Sequence, residues 1–142
     1  MIVLDTNVIS AVMRDTPDPV VVAWLDRQPA NEIWTTTITV FEILFGLELL
    51  APGERRRRLE AAFARALEED FRGRVLPFDQ AAARETALIA ARRRRSGLPV
   101  DFRDTQIAGI VLARRATLAT RNIRHFADLP ADVVDPWDDG AR

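Results

Sequence analysis

Met1 to Ser10 (MIVLDTNVIS) hold the pattern from which the fold is read. Ile2, Val3 and Leu4 form a continuous apolar run that stops at Asp5, as expected of a strand covered on both faces in a parallel sheet. Asp5 then stands at the carboxyl end of that strand. Val8, Ile9, Val12 and Met13 mark a short helix just behind it. In open α/β sheets ligands bind outside the carboxyl ends of the strands, which makes Asp5 a candidate site residue. Capping of the short helix by Asp5 and Thr6 is the competing account.

The same alternation continues along the chain. Pro19 to Gln28 reads as a helix with proline in its first turn, and Glu32 to Thr36 as a second strand. From Thr37 onward the segment TITVFEILFGLELL is helical, capped by Thr37 or Thr39 and ended by Pro52-Gly53. Glu54 to Asp70 carries Leu59, Phe63 and Leu67 as one stripe among arginines, the pattern of an amphipathic helix. Arg74 to Pro77 gives a third strand, and Asp79 to Arg95 a helix terminated by Ser96-Gly97. Asp104 to Arg115 is helical, Thr117 to Thr120 is a fourth strand, and a last strand is expected near Val133-Val134. Strands alternating with helices predict a mainly parallel sheet with helices on both faces. The 142 residues are of a size for one domain, taken to span 1–142, with an acidic tail from Asp128 whose last few residues are expected to be disordered.

Composition narrows the chemistry. Hydrophobic residues make up 48% and charged residues 29%, with no apolar run long enough for a membrane span. The opening residues lack a basic region and a cleavage site, from which a cytoplasmic location is expected. There is no cysteine and a single histidine, His125, which excludes disulfides, thiolate catalysis and zinc sites built from cysteines or several imidazoles. All basic residues are arginine, so a P-loop, which needs a lysine at the phosphates, is excluded. A coding bias accounts for the arginines, and so does the fit of guanidinium forks to phosphate. The net charge of −1 points to no partner by itself.

Three further residues stand out. Glu42 lies inside VFEILFGLELL, where neighbours are apolar on every face, so the helix is expected to be covered on both sides. An ionised carboxylate there needs a partner, either an arginine or backbone donor, or a metal or substrate. Asp104 falls on the inward stripe with Ile107, Ala108 and Val111, although Asp101 as cap with Asp104 in the first turn explains it too. Asn122 follows the fourth strand in TRNIRHF. Two carboxylates about 4 Å apart repel by roughly 4 kcal/mol at an effective dielectric of 20, so gathering Asp5, Glu42 and Asp104 requires a cation. Oxygen ligands of this kind suit Mg²⁺ or Mn²⁺.

These segments, taken in order, resemble the PIN-domain endoribonucleases, and within them the VapC-like toxins of bacterial toxin–antitoxin modules. The resemblance rests on MIVLDTNVIS, TTITVFEILFGLELL, RVLPFD, DFRDTQIAGIVLAR, LATRNIRHF and VDPWDD. It implies a three-layer α/β/α fold, Mg²⁺- or Mn²⁺-dependent hydrolysis of RNA phosphodiester bonds, and inhibition by a cognate antitoxin. The family's acids fall on Asp5, Glu42 and Asp104, as metal ligands and catalytic groups. Many members carry a fourth acid where this chain has Asn122, so one well-held ion rather than two is expected here. Thr6 and Asn7 match the opening motif, either orienting Asp5 or a water, or capping the helix.

An acidic pocket that takes RNA needs a cationic rim, for which Arg103, Arg121, Arg124 and the run Arg92 to Arg95 are candidates. The run equally suits a solvated helix face. Arg55 to Arg58 is expected to be such a face or an antitoxin contact. The apolar residues between Phe41 and Leu50 and the Leu59 stripe either support a homodimer and antitoxin docking or cover each other. Operator DNA is expected to be reached only through the antitoxin. His125 and Trp137 are expected to be structural. Two other functions are weighed: a weakly active protein serving mainly as the antitoxin's partner on DNA, and an RNA-processing nuclease without an antitoxin.

Overall fold

The computed structural model describes residues 1–139; the segment expected to be disordered at the end of the chain falls partly on 140–142, outside them. The elements are β1 (Ile2–Leu4), α1 (Thr6–Met13), α2 (Pro19–Asp26), β2 (Ile33–Thr36), α3 (Thr37–Glu48), α4 (Glu54–Arg65), β3 (Val75–Leu76), α5 (Gln80–Arg95), α6 (Phe102–Arg114), β4 (Thr117–Ala119), β5 (Val133–Val134) and α7 (Pro136–Asp139). The five strands are all parallel, in the order β3-β2-β1-β4-β5. This is the α/β sandwich that the alternation predicts.

Side chains along β1 and β4 alternate between two cores. Val3 and Leu118 face a cluster with Ile89, Ile107, Ile110 and Val111 of α5 and α6. Leu4 and Ala119 face the opposite cluster, which holds Val8, Val21, Trp24, Ile43 and Phe63 from α1 to α4. The central strands are therefore buried on both faces, which is why β1 reads as an unbroken apolar run. Helices α5 and α6 approach each other at Gly109, where an added Cβ would stand 2.7 Å from the Ala82 carbonyl oxygen. No other residue fits that crossing without the helices moving apart.

Local chemistry sets the element ends. Asp18 accepts from Val20 N at the start of α2, Thr36 from Thr39 N at α3, and Asp79 from Ala82 N at α5. Asp101 accepts from Asp104 N, so α6 begins at Phe102, two residues before the predicted start. The predicted helix over 54–70 changes character at Ala66, where the chain widens into a π turn closed by Phe71 N on Ala66 O at 2.9 Å. Asp70 accordingly lies outside the α-helix proper.

The expectation that α3 is covered on both sides is met by the chain itself on one side. Thr39, Ile43 and Leu47 are its buried residues, whereas Phe41, Leu44, Phe45 and Leu49 are 45–71% exposed. Helix α3 is an outer-layer element whose inner stripe meets the sheet, α1 and α4, while Arg103 of α6 reaches over Phe41 and Phe45. The Leu59, Phe63 and Leu67 stripe packs into the same core as Ile43 and Leu47, so the two helices do cover one another on that side. Among the described residues no helix is long and apolar enough to cross a membrane.

Candidate active site

The strand order reverses between β1 and β4, because the chain leaves β1 towards β2 on one side and later inserts β4 on the other. Such a switch point opens a crevice at the carboxyl ends of the two strands. Asp5 follows β1 and Thr120 follows β4, and they meet there: Thr120 Oγ1 donates to Asp5 Oδ2 at 2.8 Å. Asp5 is 3% exposed. Its Oδ1 accepts from Thr6 N at 2.7 Å, the helix-capping bond, and Asn7 Nδ2 lies 3.3 Å from Oδ2. Capping and a place in the crevice therefore coexist in one side chain.

Asn7 ties the two strand ends together. Its Nδ2 reaches Thr120 Oγ1 at 3.2 Å and its Oδ1 accepts from Arg121 N at 3.1 Å. Thr120 Oγ1 also accepts from Asn122 N at 3.0 Å. Through these bonds the Asp5 carboxylate is held from both sides of the crevice. Its rotamer is fixed before any ligand arrives.

Glu42 comes from α3, six residues beyond the Thr36 cap, and its side chain is about one-fifth exposed. Thr6 Oγ1 donates to its Oε1 at 2.9 Å and lies 3.2 Å from Thr39 Oγ1. The nearest guanidinium, Arg103, is 3.9 Å from Oε2 and half-exposed, which is the limit of an ion pair. Burial pushes the Glu42 carboxyl above its ordinary value, the charges of Asp5 and Asp104 add to this, and Thr6 and Arg103 oppose it. Asp5 is shifted the same way, by burial first and the Asp104 charge in smaller part, against its bonds to Thr120, Thr6 and Asn7. Burial thus disfavours the ionised forms of Asp5 and Glu42, and the charge of Asp104 reaches both.

Asp104 occupies the first turn of α6, as the capping account has it, and its carboxylate also meets another side chain: His125 Nδ1 lies 3.0 Å from Oδ2. His125, expected to be structural, thus stands against one of the candidate acids. The ring stands 60% exposed at the crevice, on the 3₁₀ turn Ile123–Phe126 that follows β4. Asn122 precedes that turn and is exposed; its backbone, bonded to Thr120, is its tie to the site among the described residues.

The cationic candidates separate sharply. Arg103 lies over the stacked rings of Phe41 and Phe45, 5.6 Å from each centroid. Arg121 lies 4.8 Å from the centroid of Trp137, whose Nε1 donates to Asp18 Oδ2 at 2.9 Å. Arg124 is exposed. Of the run Arg92 to Arg95, Arg93 is neither rim nor solvated face: it is 5% exposed and bonds Asp128 twice, at 2.8 and 2.9 Å, with further bonds to Thr105 Oγ1 and His125 O. Arg58 bonds Asp15 and Arg56 bonds Glu48 and Glu60, so the 55–58 run is largely paired on the surface. Thr120 and His125 were missing from the sequence-derived site, since neither lies in a pattern that points to chemistry without the strand order.

Carboxylate oxygens are hard donors and suit a divalent cation of the Mg²⁺ type. Among the described residues no three acidic or imidazole side chains stand close enough to enclose an ion by themselves. Water would complete the shell, as is usual for Mg²⁺, which dehydrates reluctantly.

A doubly wound parallel sheet with acidic side chains gathered at its switch point defines the class, an α/β protein with a candidate metal-dependent site. Residues 2–131 match the PIN domain, and the chain belongs to that family. It is 39% identical over 142 residues to the VapC ribonuclease Y4jK of Sinorhizobium fredii, covering 97% of this chain and 99% of that protein. It is 35% identical over 139 residues to the Toxin FitB of Neisseria gonorrhoeae, covering 98% and 100% respectively. Among solved structures, that of FitAB bound to an IR36 DNA fragment superposes with a TM-score of 0.88 at 35% identity, covering 96% of each chain.

Proposed function

We propose that this chain is the metal-dependent endoribonuclease toxin of a toxin–antitoxin pair, with Asp5, Glu42 and Asp104 as its metal-binding and catalytic acids. The observation that carries the proposal is the hydrogen-bonded chain at the switch point in which Thr120 and Thr6 N hold the Asp5 carboxylate while the Thr6 hydroxyl holds that of Glu42. PIN-domain membership and relatives named as a VapC ribonuclease and a toxin support the same reading. When bound, Mg²⁺ or Mn²⁺ supplies charge neutralisation at the scissile phosphate and a lower pKa for the attacking water.

The protein's own residues divide the remaining work. Asp5 is a rigid anchor, because Thr6, Asn7 and Thr120 fix its carboxylate. Glu42, its Oε1 held by the Thr6 hydroxyl, ligates the ion or orients the attacking water. Arg103 and Arg121, each held over aromatic rings, and Arg124 draw the RNA backbone to an otherwise anionic crevice. Asn122 offers an amide for water or substrate and adds no charge, which favours one ion over two. RNA cleavage is expected with Mg²⁺ or Mn²⁺ and to stop with EDTA; cleavage that continues unchanged in the chelator would sink the proposal.

The exposed face of α3, with Phe41, Leu44, Phe45 and Leu49, supports pairing of two copies. Light scattering at high concentration is expected to give twice the chain mass, and a single-chain mass would contradict pairing. The relative solved with its partner on DNA supports a cognate antitoxin, with operator DNA reached through that antitoxin.

A further inference from the structure

We propose that His125 is a positioning residue, whose imidazole holds the Asp104 carboxylate in the orientation in which it grips the divalent cation. This rests on reading Asp5, Glu42 and Asp104 as a metal site. Asp101 secures only the backbone N–H of Asp104. Among the described residues, the side chain hydrogen-bonded to the Asp104 carboxylate is that of His125, with Nδ1 3.0 Å from Oδ2.

The imidazole is carried on a fixed mount. His125 N donates to Asn122 O at 3.0 Å, and His125 O accepts from the Arg93 guanidinium at 2.7 Å. Arg93 is in turn buried and clamped by two bonds to Asp128. Phe126, the next residue, is 1% exposed and anchors the turn in the core. A ring that is itself 60% exposed contributes little to packing, yet its backbone is held from two sides. The geometry serves the contact with Asp104. A donor bonded to a ligating carboxylate removes its torsional freedom in advance, and such partners commonly change metal affinity by roughly 10- to 100-fold. Both the neutral ring with its proton on Nδ1 and the imidazolium donate from that nitrogen, so the role does not depend on a change of charge.

Mn²⁺ titration calorimetry on wild type, His125→Ala and His125→Asn, with melting temperatures in EDTA, tests this. The amide Nδ2 of asparagine takes roughly the place of Nδ1. Alanine is expected to weaken Mn²⁺ binding by roughly 10- to 100-fold, and asparagine to restore most of it. Melting temperatures in EDTA are expected to stay together, because the ring is exposed. Wild-type Mn²⁺ affinity in the alanine variant overturns the positioning role while leaving the metal site standing, and so does an asparagine variant as weak as alanine. A wild-type protein that takes up no Mn²⁺ overturns the metal reading, and the role of His125 with it.

Discussion

Asp5→Asn is expected to lower RNA cleavage by roughly 10³-fold, the loss that follows when several kcal/mol of charge stabilisation are withdrawn at the reacting phosphate. The same substitution is expected to raise the melting temperature in EDTA at neutral pH. The native carboxyl is buried at the crevice floor, and its ionised form is disfavoured there by burial and by Asp104. Because its folded pKa lies above the unfolded value, the folded state binds more protons in the window between them, and stability falls as pH rises through that window. Asparagine removes this slope. It keeps the bond from Thr6 N through its oxygen, but its NH₂ no longer accepts from Thr120 Oγ1 or Asn7 Nδ2, so the gain expected is the relieved charge burial less the loss of those two bonds. The stability gain should shrink as pH is lowered below the native carboxyl's pKa. A variant that melts below wild type at neutral pH in EDTA would contradict the burial of an uncompensated charge, and one that still cleaves RNA at the native rate would remove Asp5 from the chemistry.

Arg93→Met is expected to destabilise the fold by about 3 kcal/mol, the lower end for breaking a buried ion pair, since Asp128 is 28% exposed and regains some water. Methionine fills most of the volume, so the loss is chiefly of bonds: two to Asp128, one to the Thr105 hydroxyl and one to the His125 carbonyl. Denaturant titrations at several pH values can check both size and origin. Arg93 holds the Asp128 carboxyl below its usual range, chiefly by hydrogen bonding. That contribution is present above the unfolded carboxylate value and is lost as pH falls through the folded one. The deficit of the methionine variant should therefore narrow in acid. A constant deficit across pH would assign it to packing instead.

Asp5 and Asp104 were legible because they lie where the pattern of elements changes, after an apolar run and at a helix start, whereas Glu42 was singled out by its apolar neighbours, several of which are exposed. Thr120 was read as the end of a strand, and nothing local distinguishes it. Its hydroxyl meets Asp5 only because β4 lies beside β1, a pairing across 115 positions that short-range periodicity does not encode. His125 and Arg93 were hidden for a related reason. One sits in a turn and the other in a run of four arginines, where the side that faces inward depends on how α5 meets α6 and the 123–126 turn. The exposed face of α3 could not be told from its buried one, because apolar composition records what a helix can bury and not whether its own chain or a second copy lies against it.

The pairing of β1 with β4 has a consequence for biosynthesis. A ribosome that has delivered β1, β2 and β3 has made a chain carrying Asp5 and Glu42 but without the strand that walls the crevice, or the helix that brings Asp104. On the proposed assignment, the crevice is therefore complete only once the last third of the chain has been made.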